Sequence, residues 1–299
     1  MCGIVGLFLK DRALQPSLGA LVSGMLCTLG DRGPDSAGIA IYGATQDGRL
    51  KLTVQAPHAG YDLSPALAAA EAGSGHDIRI AERHTHAVLS VPEAAETAVR
   101  AALAAAAPEV AVVSSGTRME IYKEIGRPET VAAAFALGAM SGTHAVGHTR
   151  MATESAVTTT GAHPFSTGRD QCLVHNGSLS NHNAVRRDLV RRGLEFRTDN
   201  DSEVAAAYLS WRMAEGASLG EALKASLADL DGFYTFVVGT EDGFGVLRDP
   251  VACKPAVLAE TDAWVAFGSE YRALVDLPGI EGARVWEPEP ATPYFWTRA

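Results

Sequence analysis

At 299 residues and 47% hydrophobic content, the chain can build one large core or two ordinary ones, which excludes global disorder. A net charge of −10 argues against a nucleic-acid groove or an anionic membrane surface as partner. The four cysteines, Cys2, Cys27, Cys172 and Cys253, form no C-x-x-C pair, no stretch is apolar enough to span a bilayer, and no secretion signal is visible, so a reducing cytoplasm is the expected location.

In chain order, residues 2–9 read as a buried strand. Residues 16–29 read as a helix with the apolar stripe Leu18, Leu21, Val22, Met25, Leu26 and Leu29, with Cys27 packing beside it and Gly30 as its stop. A turn-rich loop over 31–38 leads to a strand at 39–42. Residues 44–117 differ in texture: Ala-rich segments (65–71 and 92–107) alternate with short β-like runs (78–80, 87–91, 110–113), as expected of a small α/β insertion. His84 and His86 are expected on one face of a strand, as surface histidines, because no third metal ligand lies nearby. Further on, a strand is expected over 171–175 and helices over 183–192 and from 201 or 202 to about 215. A capping box, Ser218 with Glu221, opens another helix. Strands at 233–238, 244–247, 256–258 and 264–267 precede an aromatic C-terminus, 293–296, that is expected to pack. Strands grouped at both ends with helices between them indicate a layered arrangement rather than a βαβ repeat.

Cysteine at position 2 is the most telling residue. Trimming of Met1, which a small second residue permits, would put a thiol and a free α-amine on one residue. The thiolate attacks carbonyls well, and an α-amine pKa of about 7.7–8.0 suits proton transfer near neutrality. Taken alone, Cys2 reads more readily as a buried cysteine of a first strand. Its company points to chemistry. Behind it come Arg32-Gly33-Pro34-Asp35-Ser36-Ala37-Gly38, Gly147-His148-Thr149-Arg150, Ala162-His163-Pro164-Phe165, His175-Asn176-Gly177 and Asp201-Ser202-Glu203-Val204. Singly these have structural explanations: a salt-bridge arginine at Arg150, a tight hairpin at Asn176-Gly177, a helix N-cap at Asp201.

In this order behind Cys2-Gly3-Ile4, the motifs resemble the glutaminase domain of class II (N-terminal-nucleophile) glutamine amidotransferases, over residues 1–44 and 118–275. The resemblance implies an α+β fold, the N-terminal-nucleophile hydrolase four-layer αββα sandwich, as one domain over 1–299 with an α/β insertion at about 44–117. It implies Cys2 as nucleophile, with the side-chain amide of Asn176 and the N–H of Gly177 as oxyanion donors. It places Arg150 on the α-carboxylate of L-glutamine, Asp201 on its α-ammonium and His163 in the pocket wall. An arginine fork suits a carboxylate, and loss of one oxyanion donor costs about 100- to 1,000-fold in rate. The Arg32–Gly38 segment supports the nucleophile strand. His148 and His175 flank motif residues as core or supporting groups. The segments 248–255 and 268–274 resemble fold determinants of the family, so Cys253 is no second nucleophile. Met151 stands where the family often has Trp, and Glu154-Ser155 where His-Gly is common, so the loop over the substrate differs.

The chain ends shortly after this domain. The resemblance therefore implies that the ammonia is consumed by a separate polypeptide, a flavin and iron–sulfur synthase subunit of glutamate synthase-like or N-methylglutamate synthase-like type. It implies no metal or organic cofactor in the chain itself. Two other readings stay open: a hydrolase of another amide, against which Arg150 and Asp201 argue, and a non-catalytic binding or regulatory subunit, against which Cys2, Asn176 and Gly177 argue.

Overall fold

The first apolar run is a strand buried on both faces. In β1 (Gly3–Leu9), Ile4 and Phe8 enter one apolar cluster while Val5, Leu7 and Leu9 enter another. A strand buried on both faces reads as a continuous apolar run rather than an alternation. Each such side chain contributes about 1.5–3 kcal/mol by leaving water. The structure is a computed structural model that describes residues 2–152 and 157–298; Met1 and the Glu154-Ser155 departure lie outside the described residues.

Strand β1 is central in a seven-stranded antiparallel sheet, ordered β15 (Arg284–Trp286), β13 (Val257–Glu260), β14 (Trp264–Gly268), β1, β8 (His144–Arg150), β2 (Ser36–Tyr42) and β7 (Met119–Ile125). A five-stranded antiparallel sheet lies across it, ordered β16 (Tyr294–Thr297), β12 (Gly243–Arg248), β11 (Gly232–Thr240), β10 (Gln171–Leu179) and β9 (Phe165–Gly168). Ile4, Phe8, Val146, Val174, Val237 and Phe267 belong to the apolar layer between the two sheets. Helices α1 (Leu18–Thr28) and α4 (Pro128–Ala134) cover the outer face of the first sheet. Helices α5 (His182–Arg191), α6 (Asp201–Ala214) and α7 (Leu219–Asp229) cover that of the second. The result is the expected αββα layering.

A third sheet, ordered β4 (Arg79–Arg83), β5 (His86–Pro92), β3 (Arg49–Gln55) and β6 (Ala111–Gly116), packs with α2 (Ser64–Ser74) and α3 (Glu96–Ala106) around its own cluster, which includes Leu52, Leu89, Val99 and Leu103. Lys51 reaches Glu120 at 2.7 Å and Thr85 reaches Glu124 at 2.7 Å, which ties this unit to β7.

Several local expectations are corrected. His84 and His86 do not share a strand face. His84 sits in the turn between β4 and β5 with φ 54°, while His86 is buried with its ring edge-on to Phe135. The α-helix ends at Thr28, and Gly30 opens a short 3₁₀ turn instead of stopping it. The turn-rich segment already becomes strand β2 at Ser36, because Ser36 pairs with Arg150 and Ile125. The capping box forms as expected. Tyr294 and Trp296 pack from β16 onto the inter-sheet core, whereas Phe295 points outward. Among the described residues no helix is long and apolar enough to cross a membrane.

Candidate active site

Cys2 sits at the head of β1, where the register Gly3–Thr149 brings it beside Arg150 at the end of β8. Its carbonyl is a junction. It accepts a hydrogen bond from Arg32 Nε at 3.0 Å and another from Asn176 Nδ2 at 3.3 Å. Arg32 is in turn ion-paired with Glu270. Ser269 clamps Ile4, two residues on, accepting from Ile4 N at Oγ (2.9 Å) and donating its own N–H to Ile4 O (2.9 Å). The main chain of the cysteine is thus held from both sheets and from two loops. Its thiol is half-buried and, among the described residues, its hydrogen-bond contact is a long one of 3.9 Å to Met151 O.

Asn176 and Gly177 lie within β10, not in a hairpin turn, opposite Thr235 and Tyr234 of β11. Gly177 adopts φ 154°, and a Cβ there would lie 2.0 Å from Phe233 O and 2.8 Å from His175 Nε2. Asp249 braces the opposite strand, accepting from Tyr234 N at 3.0 Å and donating to Tyr234 O at 3.0 Å. Arg248 donates to Ala252 O and Lys254 O, which gives the 248–255 segment its fold role and leaves Cys253 exposed. A Gly177→Ala protein is expected to lose about 1–3 kcal/mol from the backbone conformation alone, plus the cost of the clash. Urea unfolding of the variant beside the parent reads this directly, and an unchanged midpoint would contradict the geometry.

Asp201 is the first residue of α6; the N-cap is Asn200, whose side chain accepts from Ser202 N at 2.9 Å. The Asp201 carboxylate accepts from Leu179 N at 2.9 Å and lies 3.7 Å from His175 Nδ1. Burial opposes its ionisation, but the His175 ring and the Leu179 N–H outweigh that and hold its pKa down at about 2. His175 Nδ1 pairs with Ser202 Oγ at 2.9 Å, and His148 Nε2 meets His175 O at 3.1 Å. The His163 ring stacks on His148 at 4.0 Å between centroids and is buried. Burial drives the His163 pKa well below its ordinary value and that of His148 to about 3, so both rings are neutral. The His163 segment can lie this close because Gly38 has no side chain: a Cβ there would be 2.1 Å from His163 O.

Cys2, Asn176 and Arg150 therefore meet at one end of the two sheets, with Gly177 next in the strand. Asp201 and His163 do not hydrogen bond to Cys2 among the described residues; they join the site through His175 and His148. Arg150 is buried, with its Nη1 3.6 Å from where a Gly161 Cβ would stand. Sequence reasoning gave Arg32 a supporting role but missed its direct bond to the Cys2 carbonyl, and it missed Glu270 as the partner of Arg32. Asp35 is a further supporting group. Its carboxylate accepts from Ala152 N at 2.8 Å and its N–H donates to Arg150 O at 3.1 Å, which fixes the chain on both sides of Met151.

A cysteine heading the central strand of one of two stacked antiparallel sheets, with a helical layer outside each, defines an N-terminal-nucleophile hydrolase fold. The same fold is found in glutamine phosphoribosylpyrophosphate amidotransferase from B. subtilis, with a TM-score of 0.62 at 19% identity over 99% of this chain and 47% of that one. The chain belongs to the class II glutamine amidotransferase family. A family model for the glutamine amidotransferase domain matches residues 148–276. The chain is 62% identical over 296 residues to the glutamine amidotransferase-like protein GlxB of Rhizobium meliloti (strain 1021), covering 99% of this chain and 98% of that one. It is also 34% identical over 294 residues to a putative glutamine amidotransferase of Methanothermobacter thermautotrophicus, covering 94% and 96%.

Proposed function

We propose that this protein hydrolyses the side-chain amide of L-glutamine to glutamate and ammonia through a thioester on Cys2. With Met1 removed, the Cys2 α-amine takes the thiol proton as sulfur bonds to the amide carbon. The resulting oxyanion is held by the N–H of Gly177 and by the Asn176 amide, which has two donors and spends one on the Cys2 carbonyl. The C–N bond breaks as the α-ammonium returns its proton to the leaving nitrogen, releasing ammonia. Water then attacks the thioester, the S–C bond breaks, and glutamate and the free thiol are regenerated. Arg150 takes the substrate α-carboxylate and Asp201, ionised at neutral pH, its α-ammonium. Neutral His163 belongs to the pocket wall.

The observation that carries this reading is the junction at the Cys2 carbonyl, which fixes the cysteine against Asn176 while leaving the thiol accessible. The ammonia acceptor is, in this proposal, a separate synthase subunit of the glutamate synthase-like or N-methylglutamate synthase-like kind, a flavin and iron–sulfur protein; that part rests on the family resemblance. The test is intact mass before and after treatment with 6-diazo-5-oxo-norleucine, a glutamine-shaped electrophile. The expected result is a chain lacking Met1 that gains one adduct, on Cys2. A retained Met1 with no adduct would overturn the proposal in favour of a binding or regulatory subunit.

A further inference from the structure

Strand β7 carries a buried lysine, Lys123, that is in no ion pair among the described residues. Its Nζ donates instead to three main-chain carbonyls, Thr160 O (3.1 Å), Ala162 O (2.8 Å) and Pro164 O (3.4 Å). An ammonium has three N–H donors, so all of them are engaged by one short segment. Burial, the largest cause, pushes the Lys123 pKa down to about 7, and even the neutral amine keeps two N–H donors for these carbonyls. A lysine is a costly residue to bury, and an apolar side chain of similar length would pack there at lower free-energy cost. What the lysine adds is the hold on this segment.

The segment can be reached because β2 presents Gly38 opposite Lys123. A Cβ on Gly38 would lie 2.6 Å from Lys123 Cβ and 2.1 Å from His163 O. Between the three held carbonyls stand Gly161 and His163. A Cβ on Gly161 would lie 3.6 Å from Arg150 Nη1, and the His163 ring stacks on His148, two residues before Arg150 in β8. Displacement of the segment would therefore move the wall beside the Arg150 guanidinium and the His163 ring together. Glu124, next to Lys123 in β7, holds the start of the same segment. Its carboxylate accepts from Thr159 Oγ1 and, on the other oxygen, from Thr85 Oγ1 at 2.7 Å in the turn between β4 and β5.

We propose that Lys123 is a positioning residue for glutamine: by holding the carbonyls of Thr160, Ala162 and Pro164 it sets the wall of the α-carboxylate pocket beside Arg150. The inference rests on the glutaminase function proposed above, in which Arg150 takes the α-carboxylate. Loss of the amine weakens substrate binding and leaves the reactivity of Cys2 alone, because among the described residues no hydrogen bond joins Lys123 to Cys2, Asn176 or Gly177. A displacement of about 1 Å in a positioning group can cost about 100-fold, so the effect is measurable.

Inactivation by 6-diazo-5-oxo-norleucine separates binding from chemistry, since its concentration dependence gives a half-saturating concentration and a maximal rate of Cys2 modification. Lys123→Met keeps the side-chain length without the donors. It is expected to raise the half-saturating concentration about tenfold or more, with the maximal rate within about twofold of the parent. Alkylation of Cys2 by iodoacetamide, which needs no glutamine pocket, is expected to be unchanged. Thr159→Val removes the hydroxyl held by Glu124 and is expected to raise the same concentration about threefold. It decides alone if urea unfolding shows that Lys123→Met does not fold. A half-saturating concentration within about twofold of the parent in folded Lys123→Met, or Cys2 alkylation that falls in parallel with binding, would overturn the proposal. A parent that takes iodoacetamide on Cys2 but gains no 6-diazo-5-oxo-norleucine adduct would overturn the glutaminase reading, and this inference with it.

Discussion

A Cys2→Ala protein is expected to fold normally and to release no glutamate above background, a loss on the order of 10⁶-fold if the thiol carries the chemistry as nucleophiles do in other covalent hydrolases. The two halves of this expectation come from different atoms of one residue. What Cys2 gives the fold runs through its carbonyl, which Arg32 and Asn176 hold, and alanine keeps that carbonyl. What it gives the chemistry runs through a thiol whose hydrogen-bond contact among the described residues is a long one to Met151 O. Urea unfolding and single-turnover glutamate release, measured on the same preparation, separate the two. Asn176→Ala should behave differently. It removes an oxyanion donor, worth about 100- to 1,000-fold in rate, and it also frees the end of β1, so activity and stability fall together. Parent-level turnover in the Cys2→Ala protein would end the glutaminase reading whatever the behaviour of Asn176.

How much of this was legible beforehand depends on where each constraint acts. Strand β1 could be read because both of its faces are buried and its side chains are accordingly apolar throughout. Helix α7 could be read because its capping box is local, confined to Ser218 and Glu221. Strand β8 escaped detection for the opposite reason. His144, His148, Thr149 and Arg150 are polar residues that the fold buries, their hydrogen bonds coming from distant parts of the chain, as His148 from His175 O and Thr149 from Leu29 O. His86 was misplaced because its burial is decided by Phe135 and Tyr122, which nothing adjacent to it announces. At the site, the residue types that chemistry demands were recognisable as motifs: a thiol, an amide followed by glycine, an arginine and an aspartate. The bonds that hold them were not. No local pattern links Arg32 to the carbonyl of Cys2 and to Glu270.

Stability is expected to fall steeply as the pH drops below about 6.5, ahead of ordinary carboxylate titration. His86, His144, His148 and His163 are all buried, and burial is the main force that pushes their pKa values down, to about 3 for the first three and well below the ordinary range for His163. The sign follows from the two states. Above about 6.5 these rings are neutral in both the folded and the unfolded chain and give no pH dependence. Below it the unfolded chain binds protons that the folded chain refuses, so the contribution is lost progressively as the pH falls toward about 3. Four extra protons on unfolding correspond to a slope of up to about 5 kcal/mol per pH unit where all four titrate together. Asp201 adds its own loss only lower, between its unfolded value of about 3.9 and its folded value of about 2. The interval from about 6.5 to 4.5 therefore belongs to the histidines. Urea midpoints collected across that interval at constant ionic strength measure the slope, and the proton uptake on unfolding counts the rings. A flat profile would mean that the folded protein accepts these protons. The stacked His148–His163 pair would be the first place to look, because two charged rings 4.0 Å apart would repel each other and unseat the Gly38 contact that brings His163 to the site.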